Sequence, residues 1–223
     1  MKKGFTLSEV LITLGILGIV AVLTIPGVMK NYKNRLYTAQ LQKVYAQVSD
    51  AVQAIMNEEH VDSYLESKAS ANNSCTNANT GDCTAGVAYL LNTYMKPVKR
   101  NCQTGTNRCL PATYSDIESR NSIEPTSGMG YCIQTTNGAT ICGTYNSTNK
   151  ITSVFMDVNG PASPNMFGRD VFSVDIQADG TLADRFSGVV RNNCPMTVSS
   201  GNIYGRPTGC LNAIIEAGWK MEY

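Results

Sequence analysis

Hydrophobic and polar positions are unevenly distributed along the chain. Val10 to Met29 is an apolar run of 20 residues without a charged side chain. At about 1.5 Å per residue, such a run spans the roughly 30 Å hydrocarbon core of a bilayer. An ordinary secretory signal has a shorter apolar core that ends at a small-residue cleavage site. The run therefore predicts a retained membrane helix.

A second hydrophobic pattern begins past this run and has helical spacing, with apolar residues three or four positions apart. They are Leu41, Val44, Val48, Val52 and Ile55. We expect one helix from about Thr6 to about Asp62, roughly 85 Å long if each residue adds about 1.5 Å. Its second half lacks strict heptads, so the stripe indicates packing on a globular domain rather than a coiled coil.

The C-terminal part alternates strand-like runs with turn residues. Strands are predicted over residues 131–135, 140–145, 151–158 and 170–176. Brief helices are expected around Val87 to Tyr94 and around Leu211 to Ile215, with irregular segments at 67–86 and 100–130. A long helix followed by an antiparallel sheet predicts an α+β fold.

The composition excludes several classes of function. The chain has 18 Lys and Arg against 17 Asp and Glu, and this net charge of +1 argues against a nucleic-acid binder that neutralises phosphates. The sequence has a single histidine, His60, and no phosphate loop, nucleophile elbow or zinc-protease helix. We therefore expect no enzyme and no nucleic-acid partner.

All the cysteines lie in the region rich in Gly, Asn and Thr. They are Cys75, Cys83, Cys102, Cys109, Cys132, Cys142, Cys194 and Cys210. An even number confined to such a region predicts a disulfide framework formed in an oxidising compartment. Zinc is the alternative, but the tight C-x-x-C spacing that structural zinc prefers is missing. Four bridges allow on the order of a hundred connectivities, so most of the pairing stays open.

One pairing can be argued from a local turn. Asn137-Gly138 lies between two β-prone runs, which is a strong hairpin signal. If the loop is Thr136 to Gly138 with Gly138 left-handed, Cys132 lies directly opposite Cys142, and the geometry permits a bridge. A two-residue loop would shift the register by one and prevent it.

The N-terminus places a charged leader, Met1 to Gly4, ahead of Phe5-Thr6-Leu7-Ser8-Glu9 and the apolar run. Glu9 stands out because a carboxylate at the edge of a membrane segment is costly and indicates function. The alternative is that Glu9 only reaches the headgroup layer. The ordered glycine, aromatic, hydroxyl, leucine, glutamate and apolar helix closely resembles the class III signal of type IV pilins and of the pseudopilins of type II secretion systems.

This resemblance implies how the N-terminus is processed. In that family a membrane prepilin peptidase cuts after the glycine on the cytoplasmic side, and the new terminal residue is N-methylated. Carried over, the cut falls between Gly4 and Phe5, and Phe5 is methylated. Glu9 matches the family's assembly glutamate, and Pro26 matches its helix-interrupting proline.

The matched residues also make physical sense. Once the leader is removed, the Phe5 amine of one subunit can face the Glu9 carboxylate of a neighbour in a stack of parallel helices. A charge pair shielded from water is strong, whereas an unpaired buried carboxylate is heavily penalised, so Glu9 rewards correct register. Pro26 lacks an amide hydrogen, and the helix around it either unwinds in part or is held by neighbouring helices.

The resemblance further implies a pilin-like organisation. Residues 1–4 are the leader, 5–29 the membrane and assembly helix, 30–66 its amphipathic continuation, and 67–223 an exported Cys-rich domain. Lys2 and Lys3 favour a cytoplasmic N-terminus, whereas Lys30, Lys33 and Arg35 favour the opposite orientation. The cysteines and the cleavage signal decide for an exported C-terminal part.

The function expected is a structural subunit of a type IV pilus or a type II secretion pseudopilus. It would cross the inner membrane once and then enter a surface pilus or a periplasmic pseudopilus. Its partners would be other pilin-like subunits, prepilin peptidase, an inner-membrane assembly platform and lipid. The large exported domain favours a minor or adhesive subunit. The alternative is a monomeric, membrane-tethered extracytoplasmic binding module.

A late segment concentrates oxygen ligands between two predicted strands. It contains Asp157, Asn159, Asn165 and Asp170 among glycines and prolines. Calcium takes six to eight oxygens from such loops, and major pseudopilins resemble this in having a late calcium-bearing loop. The candidate ligands are Asp157, Asn159 and Asp170. The alternative, which we favour, is a hydrogen-bonded turn in which Asp and Asn cap backbone amides; no other cofactor is expected.

Overall fold

The computed structural model describes residues 4, 6–115, 129–184 and 210–222. The chain divides into two compact units, Met1–Leu36 and Tyr37–Tyr223. The helices are α1 (Leu7–Glu59), α2 (Gly86–Met95) and α3 (Cys210–Glu216). Phe5 and Cys194, both named from the sequence, lie outside the described residues.

Helix α1 ends because His60 takes a left-handed conformation, with φ of 53°. The His60 amide donates to the Asn57 carbonyl at 3.3 Å, and the Val61 amide donates to the Met56 carbonyl at 3.1 Å. This pair of bonds is a Schellman motif, which satisfies carbonyls that the last helical turn leaves free. The helix therefore stops three residues before the predicted end at Asp62.

The globular unit is built on a six-stranded antiparallel sheet whose strands are in chain order. The strands are β3 (Lys99–Arg100), β4 (Tyr131–Gln134), β5 (Thr140–Asn146), β6 (Ile151–Asp157), β7 (Val171–Ile176) and β8 (Leu182–Asp184). Consecutive strands pair because short turns join most of them, as in other antiparallel meanders. The α+β fold predicted from the sequence is confirmed.

The predicted apolar stripe of α1 is part of the core. All five stripe residues are fully buried. On the same helix, the Tyr45 hydroxyl donates to the Leu182 carbonyl of β8 at 3.1 Å. Helix α2 approaches β5 at Gly143, where any Cβ would meet the Val87 side chain at 2.2 Å. Both helices are thus packed on the sheet, and only glycine fits at position 143.

The segment 67–86 differs from the irregular loop expected there. It forms a two-stranded hairpin, β1 (Ser74–Asn77) and β2 (Asp82–Ala85), closed by a disulfide between Cys75 and Cys83. The strands are short and polar, and their register shifts at Cys75, so they lack the alternating pattern that predicts strands.

The hairpin of β4 and β5 has the expected three-residue loop. Cys132 is opposite Cys142, Gly138 has φ of 88°, and the Thr135 amide donates to the Ala139 carbonyl at 2.9 Å. Cys132 and Cys142 form a disulfide, and so do Cys102 and Cys109. Cys210 is also disulfide-bonded.

Candidate functional site

The first turn of α1 is held by a reciprocal set of hydrogen bonds between Thr6 and Glu9. The Thr6 amide and the Thr6 hydroxyl donate to Glu9 Oε2 at 2.8 and 2.7 Å, and the Glu9 amide donates to Thr6 Oγ1 at 3.3 Å. This is a capping box, in which the N-cap residue and the residue three positions later satisfy each other's amides. Thr6 therefore starts the helix at Leu7.

The sequence interpretation missed this role of Thr6. Its signal was the spacing Thr6-Leu7-Ser8-Glu9, because a hydroxyl residue followed three positions later by glutamate before an apolar run indicates a capping box. Glu9 is thus more than an isolated carboxylate. In the single chain its side chain already has donors, and both come from Thr6.

The apolar run of α1 presents its side chains to the outside. Leu7 is 79% exposed, and large hydrophobic residues stay exposed as far as Met29. They are Leu7, Val10, Leu11, Ile12, Leu14, Ile16, Leu17, Ile19, Val20, Val22, Leu23, Ile25, Val28 and Met29. Exposed apolar patches of this extent mark surfaces for lipid or other proteins. Of the described helices, α1 is long and apolar enough to cross a membrane.

Pro26 lies inside α1, and the helix continues through it. Proline removes one hydrogen bond from the helical ladder and crowds the preceding turn. One turn before the proline, the Thr24 hydroxyl donates to the Val20 carbonyl at 2.9 Å. Partial unwinding as the helix leaves the bilayer stays a prediction.

The first 25 residues therefore combine a capped carboxylate, a charge-free run and an exposed apolar helix. This combination defines a membrane-anchoring signal of the prepilin class. Residues 1–25 match the family model of the prokaryotic N-terminal methylation motif, which is the class III signal of type IV pilins and pseudopilins. No curated protein and no solved structure matches the chain.

The motif has direct consequences for the class of protein. It indicates a structural subunit that prepilin peptidase processes and that assembles with other pilin-like subunits. Together with the apolar helix, it supports membrane anchoring with an exported C-terminal domain. The disulfides of that domain agree with an oxidising compartment.

A second polar cluster lies inside the globular unit, at the ends of β6 and β7. Asp157 and Asp170 are both fully buried. The Tyr114 hydroxyl donates to Asp157 Oδ2 at 2.9 Å. The Asn165 and Met166 amides donate to the two carboxylate oxygens of Asp170 at 2.8 and 2.7 Å. Asp170 thus caps the turn, as the hydrogen-bonded alternative expects.

Burial changes the acidity of both carboxyl groups. Burial raises the pKa of Asp157 well above its ordinary value, and the nearby Asp170 charge raises it further. Burial also raises the pKa of Asp170 to about 6, although its bonds to the Met166 and Asn165 amides oppose the shift. Two buried like charges disfavour each other, so this pair favours holding a proton.

The fit of this cluster to calcium is limited. Asp157 Oδ1 and Asn159 Oδ1 are buried oxygens without a hydrogen-bond partner, whereas both Asp170 oxygens accept backbone amides. Two free oxygens are far fewer than the six to eight that calcium takes. Over the described ranges, no group of three or more His, Cys, Asp or Glu could hold a metal ion. Calcium at Asp157, Asn159 and Asp170 stays a prediction.

Proposed function

We propose that this chain is a structural subunit of a type IV pilus or a type II secretion pseudopilus. The observation that carries the proposal is the capped Glu9 at the start of a charge-free, exposed apolar helix, within a matched prepilin-type motif. The matched family motif covers residues 1–25.

Processing exposes the group that Glu9 needs. Prepilin peptidase cuts between Gly4 and Phe5 and removes Lys2 and Lys3, and Phe5 becomes the methylated N-terminal residue. Residues 5–29 hold the subunit in the inner membrane as a single span. The exported domain follows them into a surface pilus or a periplasmic pseudopilus.

Assembly then exchanges the partners of the Glu9 carboxylate. In the single chain Glu9 accepts two bonds from Thr6. Between parallel helices it faces the Phe5 amine of a neighbour, and this pair of opposite charges in apolar surroundings is stronger than the bonds from uncharged donors that it replaces. A subunit in the wrong register leaves a buried carboxylate without an opposite charge, which is strongly disfavoured.

Pro26 and the size of the exported domain refine this role. Pro26 lowers the stability of the helix at one point, so that point can unwind when the helix leaves the bilayer. The disulfide-bonded domain from residue 67 onward is bulky for a bare scaffold. We therefore propose a minor or adhesive subunit that assembles with itself or with other pilin-like subunits through the assembly platform.

The experiment joins mass spectrometry to one substitution. The mature chain should begin at a methylated Phe5. Glu9→Ala should remain processed and membrane-bound but fail to enter filaments, because it loses the charge pair. Glu66→Ala changes an exposed glutamate of the globular unit and serves as the matched control. An intact Met1, or normal filament entry of Glu9→Ala, contradicts the proposal and favours a tethered monomeric binding module.

A further inference from the structure

A cavity of about 260 Å³ opens in the globular unit where α1 runs past the end of α2. It is lined by Gln47, Asp50, Ala51, Ala54, Tyr94 and Met95. Four of these residues lie on one face of α1, because their spacing of three or four positions repeats once per helical turn. The other two are the last residues of α2.

Three side chains that line this cavity carry an oxygen that can accept a hydrogen bond. Gln47 Oε1 is buried and has no hydrogen-bond partner. Asp50 is exposed, and no ion pair joins it to another residue within the described part of the chain. The Tyr94 hydroxyl donates its proton to Glu58 Oε2 at 2.6 Å, so its oxygen can still accept. A buried acceptor without a donor is costly, which indicates that something with donors fills the cavity.

The chemistry of the cavity fits the end of a lysine side chain. A lysine ammonium has three donors and no acceptor, and Gln47, Asp50 and Tyr94 offer three acceptors. The remaining lining is apolar, from Ala51, Ala54 and Met95, and can cover the methylene stem. Asp50 and Glu58 supply negative charge at the site.

We propose that the occupant is Lys30 or Lys33 of a second copy of this chain. Both lysines are exposed, and no ion pair joins either one to a described residue. They follow directly on the apolar run through which, on the proposed function, the subunits polymerise, so a neighbour held by that run brings these lysines with it.

This contact joins two different patches of the chain and is therefore heterologous. After two copies pair, one of them keeps a free lysine patch and the other keeps a free cavity, so the contact continues from copy to copy. A heterologous contact that does not close into a ring generates an open filament. The inference rests on the proposed function and deepens it, since it adds a second inter-subunit charge pair to that of Glu9.

Carbodiimide cross-linking tests the pairing directly, because it joins a carboxylate to a lysine only where the two are in contact. Processed full-length chain, half of it labelled with nitrogen-15, is polymerised by removal of detergent and cross-linked. Mass spectrometry should find an isotopically mixed peptide that joins Asp50 to Lys30 or Lys33. Mixed cross-links that leave out Asp50, or that join it to Lys43 or Lys96 instead, overturn the inference.

Substitutions separate the pocket from simple charge attraction. Gln47→Leu keeps Asp50 but removes an acceptor, and should lower the yield of this cross-link at least about fivefold. Asp62→Asn changes an exposed acid outside the cavity and should leave the yield unchanged. Thermal melting of each variant checks that it folds. An unchanged yield in a folded Gln47→Leu contradicts the inference.

Two double variants of Lys30 and Lys33 test the same pairing without changing Gln47. Lys30→Arg with Lys33→Arg retains the charge and should still polymerise, whereas the corresponding double change to Gln should polymerise several-fold less. Equal polymerisation of both double variants overturns the inference. If these variants and Gln47→Leu behave as wild type while Glu9→Ala fails to assemble, the proposed function stands and only the lysine pocket is lost.

Discussion

The two units of the chain use the same kind of apolar residue in opposite ways. In the unit up to Leu36, large side chains such as Leu7 and Leu17 are exposed. In the unit from Tyr37 onward, Phe155 and Ile133 are completely buried. The first set therefore serves contacts with lipid or other subunits, and the second holds the domain's own core.

The acids differ between the units as well. Glu9 is an exposed carboxylate that borders a charge-free surface and is held by Thr6. Asp157 and Asp170 are buried side by side and favour holding a proton. The first unit leaves this carboxylate at its surface, whereas the second unit encloses its two carboxyl groups within the fold.

The largest expected effect comes from truncating one apolar residue in each unit. Phe155→Ala should lower the free energy of unfolding of the globular unit by about 3–5 kcal/mol, because it leaves a cavity in the core. Leu17→Ala should leave that stability unchanged, because Leu17 is exposed in the apolar run. Chemical denaturation of the processed chain in detergent measures both. A comparable loss in Leu17→Ala would break the contrast between the units.

A pH effect of intermediate size is expected from the buried acids. A folded-state pKa of Asp170 raised to about 6 means that the folded chain holds a proton that the unfolded chain has released. The contribution of Asp170 to stability is therefore fully present below about pH 4 and is lost as pH rises through about 6. At about 1.4 kcal/mol per pKa unit, the loss is about 3 kcal/mol.

The matched variant is Asp157→Asn, which removes one buried ionisable carboxyl group and keeps an acceptor for Tyr114. It should be more stable than the wild type at neutral pH and have a flatter pH profile, measured by denaturation in the presence of a chelator. Repeating the neutral measurement in millimolar calcium tests the ion at Asp157, Asn159 and Asp170. We expect calcium not to restore the stability lost at neutral pH, because both carboxylate oxygens of Asp170 already accept backbone amides. A clear gain in stability with calcium would favour a calcium site.

Local patterns predicted much of the fold. The long helix, the four central strands and the register of the Cys132 hairpin follow from hydrophobic period and one turn, which are short-range features. The hairpin of β1 and β2 was missed because its strands are polar and shifted in register. The cavity at Gln47 lies between α1 and α2. It could not be predicted, because it depends on packing between elements that are distant in the chain.

The residues of the candidate site also differ in whether the sequence could predict them. Glu9 could be selected as a candidate because a contiguous motif at residues 1–25 contains it, and Thr6 in the same motif could have been. The meeting of Tyr114 with Asp157 could not be predicted, because 43 positions separate the two residues and only the folded sheet brings them together. Residue spacing indicates chemistry along one element, whereas burial and partners come from the tertiary fold.

The smallest of the expected effects concerns the disulfide of the β1–β2 hairpin. Replacing both Cys75 and Cys83 by Ala should lower the free energy of unfolding by about 2–3 kcal/mol, because a short closed loop gains entropy in the unfolded chain. The same change at Cys132 and Cys142 should cost more, since both of these sulfurs are fully buried in the core while Cys75 is half-buried. Denaturation of the two double variants measures the difference. Equal losses would mean that loop closure alone sets how much each disulfide contributes to the free energy of unfolding. Burial of the sulfurs would then make no difference.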